Sequence, residues 1–235
     1  AMSRWEQAAT SYSKAIQFDP ANHHLYAKRA EAWTRCEQWA EAEQDLLKVI
    51  ELGPPAAKPW HALGLVRLAR GDVEAYRRGC SELFERYSDA EPLAIRHWRL
   101  AWCCEPYPPT EDVLQQALLY AERAKPIPAN VRRANGAFLS LLLWAGRFEE
   151  QAKTIEEDFV WAPGSEWKGL RLAIYHAKAG RWEQAHMYLD RTKPLVEEGV
   201  KTRRGSTYAE LQLRLLMRMA EDLIEQQDGK LKTTE

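Results

Sequence analysis

The best candidate for metal chemistry in this 235-residue sequence surrounds His186. Glu183 and Asp190 lie one helical turn before and after this histidine, and an imidazole with two carboxylates could hold a divalent cation. Side chains at this spacing also form ordinary pairs along the wet face of a helix, and we favour that interpretation. The sequence contains no phosphate-binding loop, nucleophile elbow or metal-binding signature. We therefore predict no catalytic residues, no cofactor, no bound metal and no enzymatic activity.

Four further histidines do not form a catalytic set. His23 and His24 lie at a predicted helix start, where we expect a capping or surface role. His97 and His176 lie inside predicted helices, and neither has an acidic or cysteine neighbour one turn away. We interpret all four as structural.

The cysteines are Cys36, Cys80, Cys103 and Cys104, and they contain no CxxC pair. Adjacent cysteines point to different sides of a helix, so Cys103 and Cys104 cannot easily chelate one metal together. Small buried thiols in a reducing compartment are the simplest interpretation. No signal peptide is visible, and no apolar run approaches the ~18 residues that span a bilayer. These features favour a cytoplasmic protein.

The charge balance narrows the class of partner. The formal net charge is -1, with 33 basic and 34 acidic residues. A nucleic-acid binder usually carries a basic surplus, and so does a protein held at an anionic membrane surface by electrostatics. We therefore predict a protein or peptide partner, with no nucleic acid and no membrane.

A period of 34 residues organises the sequence into similar segments. Trp39 begins the segment WAEAEQDLLKVIELGP, and Trp5 begins the similar segment WEQAATSYSKAIQFDP. The turn at Gly180 follows the turn at Gly146 by the same spacing. A fixed period of this length is typical of stacked helical repeats. The elements that position any functional side chain are therefore predicted to be pairs of helices in series.

Apolar spacing, prolines and capping residues predict the helices within this pattern. A helix over residues 1–20 lacks the partner that would complete its hairpin, so we expect the chain to be a fragment of a longer protein. Asn22, Asp72 and Thr110 are predicted N-caps, and residues 194–204 are a predicted polar linker. The remaining predicted helices and hairpins cover 22–54, 59–87, 92–105, 110–125, 131–163, 167–190 and 207–227.

These residues resemble the tetratricopeptide repeat family over roughly residues 4–191. The resemblance implies an all-α, right-handed solenoid of helical hairpins. It implies helical repeats over 2–200, of which the first is incomplete, and a C-terminal capping helix over 201–228. The polar residues 229–235 are predicted to form a disordered tail. The departures are Tyr76 in place of alanine, Leu139 in place of a small residue, and a shifted ending at Pro128. The residues that carry the resemblance are Ala8, Tyr12, Ala15, Pro20, Ala42, Leu46, Val49, Pro54, Trp60, Leu63, Gly64, Gly71, Gly146 and Gly180.

A narrower likeness is to repeat tails of large planctomycete-type bacterial proteins. It is carried by GDVEAYRRGCSELFERY, which begins at Gly71, by LLYAERAKPIPAN and by LQLRLLMRMAEDLI near the C-terminus. Such tails often follow a kinase domain or a β-propeller. This likeness implies an alternative function, in which the chain is a regulatory segment of a larger protein.

In the tetratricopeptide repeat family, the first helix of each hairpin lines a concave groove that binds peptides. Arginine forks can bind carboxylates at two points, and tryptophans can anchor apolar side chains. We therefore predict a non-enzymatic scaffold that binds a peptide or protein in this groove. Projecting the groove onto this sequence gives Lys28, Glu31, Arg35, Lys58, His61, Trp98, Arg99, Trp102, Glu105, Arg133, Ser140, Trp144, Trp167 and Arg171.

Chaperone-binding members of the family hold a terminal carboxylate with lysine, asparagine and arginine side chains. Here Ala27 and Glu31 fall where the first lysine and asparagine would lie, and Ala62 falls where the next asparagine would lie. The clamp is not matched, so we do not predict binding of chaperone tails.

The last predicted helix suggests a second function. Leu211, Leu215 and Met219 form an additional apolar stripe on that helix. An apolar stripe of this kind could join two copies of the chain. The alternative prediction is therefore a structural module that forms a homodimer.

Overall fold

A computed structural model gives the fold. It describes residues 2–54, 56–87, 103–123, 132–157, 159–162, 164–202 and 207–232. The regular structure of these residues is entirely helical, and the prediction of an all-α fold of helical hairpins is confirmed. The helices are α1 Met2–Phe18, α2 His23–Arg35, α3 Trp39–Leu52, α4 Ala57–Ala69, α5 Val73–Tyr87, α6 Glu111–Arg123, α7 Arg132–Trp144, α8 Glu149–Glu157, α9 Glu166–Lys178, α10 Trp182–Thr202 and α11 Thr207–Lys232.

The chain divides into two compact units, Ala1–Ile127 (unit 1) and Pro128–Glu235 (unit 2). In unit 1 each of the helices α1 to α5 packs on the described helix that follows it. Consecutive packing of this kind is the contact pattern of helical repeats, in which each element buries its apolar stripe against its neighbours.

Short polar contacts set where the helices of unit 1 begin. The Asn22 side-chain oxygen accepts a hydrogen bond of 3.1 Å from the His24 amide, and the Asp72 carboxylate accepts one of 2.9 Å from the Ala75 amide. Both confirm the predicted N-caps, which satisfy amides that have no partner inside the helix. Gly71 has a φ of 85°, a conformation that favours glycine and allows the tight turn from α4 to α5.

The departure at Tyr76 is accommodated by the glycine that faces it. The Tyr76 ring is 1% exposed, and a Cβ added at Gly64 would lie 3.1 Å from the ring. The Tyr76 hydroxyl donates a hydrogen bond of 2.8 Å to the Tyr107 carbonyl, so its polar end is satisfied. The absent side chain at Gly64 therefore makes room for the large one on α5.

Unit 2 is built around α9. This helix packs on α7, α8, α10 and α11, and most of its apolar side chains are fully buried. Gly169 brings α9 close to α10, because a Cβ added there would collide with the side chain of Thr192. Gly146 and Gly180 have φ values of 69° and 71°, and they form the turns that the 34-residue spacing predicts.

The prediction of a polar linker over 194–204 is wrong for residues 194–202. The helix α10 continues through Pro194 to Thr202. A proline inside a helix removes one hydrogen bond and costs about 3 kcal/mol, so other contacts must offset it. Val196 is 1% exposed, and Lys193 pairs with Glu221 of α11 at 2.8 Å. The burial of Val196 and the packing of α10 on α11 thus keep the segment helical.

Candidate functional site

Three of the predicted groove residues lie together on one face of α2. Lys28, Glu31 and Arg35 follow one another at helical spacing, and we call them the α2 face. The Lys28 ammonium lies 3.1 Å from the Glu31 carboxylate, and the Lys28 side chain is 57% exposed. The Arg35 guanidinium lies over the ring of Trp5, 5.7 Å from its centroid. This face presents cationic and anionic groups to solvent, with an aromatic ring beside them.

A partly buried ion pair beside the α2 face holds the helix in place. Two nitrogens of Arg29 donate to the two carboxylate oxygens of Asp45, at 2.8 and 2.6 Å. A third nitrogen of Arg29 donates to the Ser13 hydroxyl at 2.9 Å, so one side chain joins α1, α2 and α3. The hydrogen bond to Asp45 raises the pKa of Arg29, and the guanidinium stays charged. This contact fixes the rotation of α2, and with it the direction of the α2 face.

A second arginine joins α3, α4 and α5. Arg67 of α4 donates from Nε to Glu43 of α3 at 2.8 Å and from Nη1 to the Ala75 carbonyl of α5 at 2.9 Å. Arg70 adds an ion pair of 2.7 Å to the same glutamate. Neither Arg29 nor Arg67 was predicted as important. For Arg29, the available signal was its position on the inner stripe of the first helix of a hairpin. The matching position in the next repeat is the apolar residue Leu63.

Two predicted groove residues of α4 have different environments. Lys58 is exposed near the start of the helix, whereas His61 is only 3% exposed. Almost the whole circumference of α4 is buried, as expected for a helix that is apolar on all sides. His61 therefore lies in the interior of unit 1, and only Lys58 is open to a ligand.

The predicted residues of unit 2 come together, but largely out of solvent. Arg171 is 4% exposed, and its Nε donates to the Ser140 hydroxyl at 2.7 Å. Its Nη1 donates to the Trp167 carbonyl at 3.2 Å, and its guanidinium lies 6.0 Å from the Trp167 ring centroid. Trp144 is half-buried, with the Lys178 ammonium 5.9 Å from its ring centroid. The structure thus brings Arg171, Ser140 and Trp167 together as a packed cluster, whereas the described contact of Trp144 is with Lys178.

The remaining predicted residues lie either outside the described part of the chain or in buried and half-buried positions. Trp98, Arg99 and Trp102 fall outside the described residues, and Arg133 lies in α7 with its side chain outside them. Glu105 is buried, at 5% exposure. The candidate dimer residues Leu211, Leu215 and Met219 are half-buried on α11.

The candidates for metal and thiol chemistry gain no support. Within the described ranges, no group of three histidine, cysteine or acidic side chains is placed to hold a metal ion. All four cysteines are buried and free. Burial raises the pKa of the Cys103 thiol well above its usual value, and a hydrogen bond with Cys80 together with burial does the same for Cys104. Both thiols are therefore protonated and poorly nucleophilic.

A buried histidine in unit 2 has partners that its own helix does not reveal. The His176 Nε2 lies 2.5 Å from a carboxylate oxygen of Glu156, and its ring stacks on Tyr188 with 5.3 Å between centroids. Burial lowers the pKa of His176 from its usual value, the Glu156 carboxylate opposes that shift, and Arg181 adds to it. Sequence reasoning missed this cluster because its members come from three different helices.

None of the described helices combines the length and the apolar character needed to cross a membrane. No family model matches the chain. It is similar to the Hsp70-Hsp90 organizing protein of Triticum aestivum, with 39% identity over 80 residues, 32% of this chain and 14% of that protein. It is also similar to the heat shock protein sti1 homolog of Schizosaccharomyces pombe, with 32% identity over 78 residues, 33% of this chain and 13% of that protein.

These matches support the tetratricopeptide-repeat resemblance over about one third of the chain. The matched region spans about one seventh of each relative's length. The narrower likeness to planctomycete-type repeat tails finds no support in them, and it stays a prediction.

Proposed function

We propose that this chain is a non-enzymatic interaction module that binds an acidic segment of a partner protein through the α2 face. The observation that carries the proposal is the α2 face itself, which is open to solvent and backed by the partly buried pair of Arg29 and Asp45. A rigid backing reduces the entropy lost on binding, because the contact side chains are already oriented. The name of the relative from Triticum aestivum, Hsp70-Hsp90 organizing protein, supports a partner of the protein class.

The charges on this face favour an acidic ligand. Lys28 and Arg35 are cationic, and Glu31 is the single carboxylate among them. Lys58, at the start of the next first helix, adds a further exposed ammonium. An arginine fork and a lysine ammonium both bind carboxylates through charge-assisted hydrogen bonds. Trp5, which is 41% exposed beside Arg35, offers an apolar surface for a neighbouring side chain.

Recognition of a terminal carboxylate is not part of this proposal. The positions that would supply the clamp hold Ala27, Glu31 and Ala62, and Ala62 is 2% exposed. Alanine side chains donate no hydrogen bonds, and a glutamate repels a carboxylate. The partner is therefore recognised by acidic side chains along its length.

Reversing the charge of both cations of the α2 face, with a charge reversal on another helix as the control, tests whether this face binds the partner. The chain is used to capture partners, which are identified by mass spectrometry, and the affinity of each is measured by calorimetry. We expect Lys28→Glu with Arg35→Glu to weaken binding about tenfold or more, equivalent to ~1.4 kcal/mol. Lys48→Glu is the control, because Lys48 forms a similar ion pair with Glu51 on α3. Equal losses in both variants, or no loss in either, would contradict the proposal.

Arg171 is an unsuitable site for a test of binding, because it is buried. Arg171→Glu would place a carboxylate in the packed cluster with Ser140 and Trp167, so it would report on folding. The α2 face has no such difficulty, since Lys28 is more than half exposed.

Self-association is the second candidate function. It is supported by the half-exposed apolar stripe of Leu211, Leu215 and Met219 on α11. We expect light scattering at high protein concentration to show a dimer, and Leu211→Glu with Leu215→Glu to return the chain to a monomer. A monomer at high concentration in the unmodified chain would contradict this candidate.

A further inference from the structure

Glu31 lies between the two cations of the α2 face. It follows Lys28 by three residues and precedes Arg35 by four, so it is one helical turn from each of them. Its carboxylate lies 3.1 Å from the Lys28 ammonium, while the Arg35 guanidinium lies over the Trp5 ring. The helical rise separates the two cations by about 10 Å along the axis of α2. The α2 face therefore presents a line of charges in the order positive, negative, positive.

Glu31 competes with the carboxylates of an acidic ligand for these two cations. The side chains of Lys28 and Glu31 are 57% and 33% exposed, and exposed ion pairs are weak, so a ligand carboxylate can displace Glu31 from Lys28 at small cost. Glu31 then either stays beside the ligand carboxylate, which repels it, or turns to Arg35 and occupies the second cation. A ligand that carries only acidic residues meets this competition whichever cation it binds.

A cation in the ligand removes this competition, because it can pair with Glu31 and leave Lys28 and Arg35 to the ligand carboxylates. A segment rich in charged residues stays unfolded, and polyproline II is a major conformer of unfolded chains. In that conformation, residues three positions apart project from the same side and are separated by about 9 Å. This separation is close to the distance of about 10 Å between the two cations on α2. The matching ligand therefore carries two acidic residues three positions apart, with a basic residue between them.

We propose that Glu31 is a specificity-determining residue, which selects partner segments that carry a basic residue between two acidic residues three positions apart. The ligand class is thus an extended segment of mixed charge, and a uniformly acidic segment binds less well. This inference rests on the proposed function, because it requires that the α2 face is the binding surface. Glu31 lies where the clamp of chaperone-binding repeats would have an asparagine, so the selection follows from a residue in which this chain departs from that clamp.

Two fluorescein-labelled peptides of identical composition test the proposal on the full chain. Both carry two glutamates three positions apart in a background of serine and glycine. One lysine directly follows the first glutamate in the first peptide, and it stands at the far end of the second peptide. Their net charges are equal, so general electrostatic attraction does not distinguish them. We expect fluorescence anisotropy at low ionic strength, where screening is weakest, to show the first peptide binding about threefold more tightly than the second.

A substitution at Glu31 assigns this preference to its carboxylate. Glu31→Gln keeps the shape of the side chain and removes its charge, so we expect the two peptides to bind this variant equally. Glu51→Gln is the matched control, because Glu51 pairs with Lys48 on α3 at the same spacing, and it should keep the preference of the unmodified chain. Equal binding of the two peptides to the unmodified chain, or a preference that survives Glu31→Gln, would overturn the proposal.

The charge-reversed variant, Lys28→Glu with Arg35→Glu, separates a failure of this inference from a failure of the proposed function. We expect it to lose affinity for both peptides. If both peptides bind the unmodified chain equally and both lose affinity in this variant, the α2 face binds acidic segments but Glu31 does not select among them. If the variant binds both peptides as the unmodified chain does, the α2 face is not the binding surface. Failure of both peptides to bind the unmodified chain would contradict the inference and the proposed function together.

Discussion

In each unit an ionisable side chain pairs with a carboxylate of a neighbouring helix, and the two side chains behave differently. Arg29 in unit 1 is held by Asp45 through two hydrogen bonds and by Ser13 through a third. His176 in unit 2 is held by Glu156 and by stacking on Tyr188. A guanidinium stays charged across the accessible pH range, whereas an imidazole changes charge near neutrality. The ion pair in unit 1 therefore keeps its charges across this pH range, whereas the charge of His176 in unit 2 depends on pH.

The largest expected effect is the loss of the carboxylate in unit 1. Asp45→Ala leaves the Arg29 guanidinium partly buried without its ionic partner. Removing one member of a fully buried pair costs about 3–5 kcal/mol, and we expect a smaller loss here because the Arg29 side chain is 21% exposed and keeps its hydrogen bond to Ser13. We expect hydrogen exchange of α2 and α3 to rise strongly, with little change in unit 2. Glu51→Ala is the control, because its ion pair with Lys48 is exposed. A small effect of Asp45→Ala would show that the pair is not what holds α1, α2 and α3 together.

These two contacts show which kinds of structural feature can be predicted from the sequence and which cannot. The 34-residue period predicts the segment that begins at Trp39, where α3 begins, and local capping chemistry predicts Asn22 and Asp72 correctly. These features depend on residues close in the chain. The pairing of His176 with Glu156, 20 residues apart in the chain, depends on how α8 meets α9, which no local spacing specifies. The same reason applies to Pro194, since the contacts that keep α10 helical come from α11.

The groove residues show the same limit. The family pattern places Lys28, His61 and Arg171 on first helices, and the structure confirms their helices. Lys28 is open, whereas His61 and Arg171 are buried. The exposure of a side chain depends on which other helices pack over it, and the repeat pattern alone does not specify that packing. The pattern therefore predicts the position of a face along the chain, but not whether a ligand can reach it.

The next largest effect compares close helix contacts in the two units. Gly169→Ala would drive a methyl group into Thr192, which is fully buried, and overpacking of this kind costs about 1–3 kcal/mol. Gly64→Ala meets the Tyr76 ring at 3.1 Å, and the gain in helix propensity of about 1 kcal/mol offsets much of that milder clash. We expect urea unfolding to show a clear loss for the first variant and a much smaller one for the second.

A double variant checks the cause of that difference. Thr192→Ala removes the atoms that the new methyl group at Gly169 would strike. We therefore expect the combination of Gly169→Ala with Thr192→Ala to be more stable than the sum of the two single changes indicates. Simple additivity would mean that the clash lies elsewhere.

The pH dependence of unit 2 is a smaller effect. Because burial lowers the pKa of His176 in the folded state, the unfolded chain binds its proton at higher pH than the folded chain does. The stability of unit 2 should therefore be fully present above the unfolded pKa of about 6.5 and decline as pH falls below it. The ion pair of Arg29 with Asp45 in unit 1 should contribute no such dependence, since the Arg29 pKa is raised and lies far from this range.

Thermal unfolding monitored by hydrogen exchange between pH 7.5 and 5.5 measures that decline in each unit separately. His176→Phe keeps an aromatic ring against Tyr188 and removes the titrating group, so its unit 2 should lose most of the dependence. Glu156→Gln removes the carboxylate that opposes the shift, so its dependence should be steeper. An unchanged pH profile in His176→Phe would assign the dependence to another group.

The smallest effect concerns the exposed ion pair of the α2 face. Lys28 and Glu31 lie 3.1 Å apart, but water surrounds the lysine and screens the attraction, so Lys28→Ala should leave urea unfolding of unit 1 almost unchanged. The same change should weaken partner binding, because a bound acidic group displaces that water. A variant that binds less without losing stability separates the surface that recognises a ligand from the partly buried pair that orients it. If Lys28→Ala destabilised unit 1 as strongly as Asp45→Ala, the face and its backing would be a single structural network.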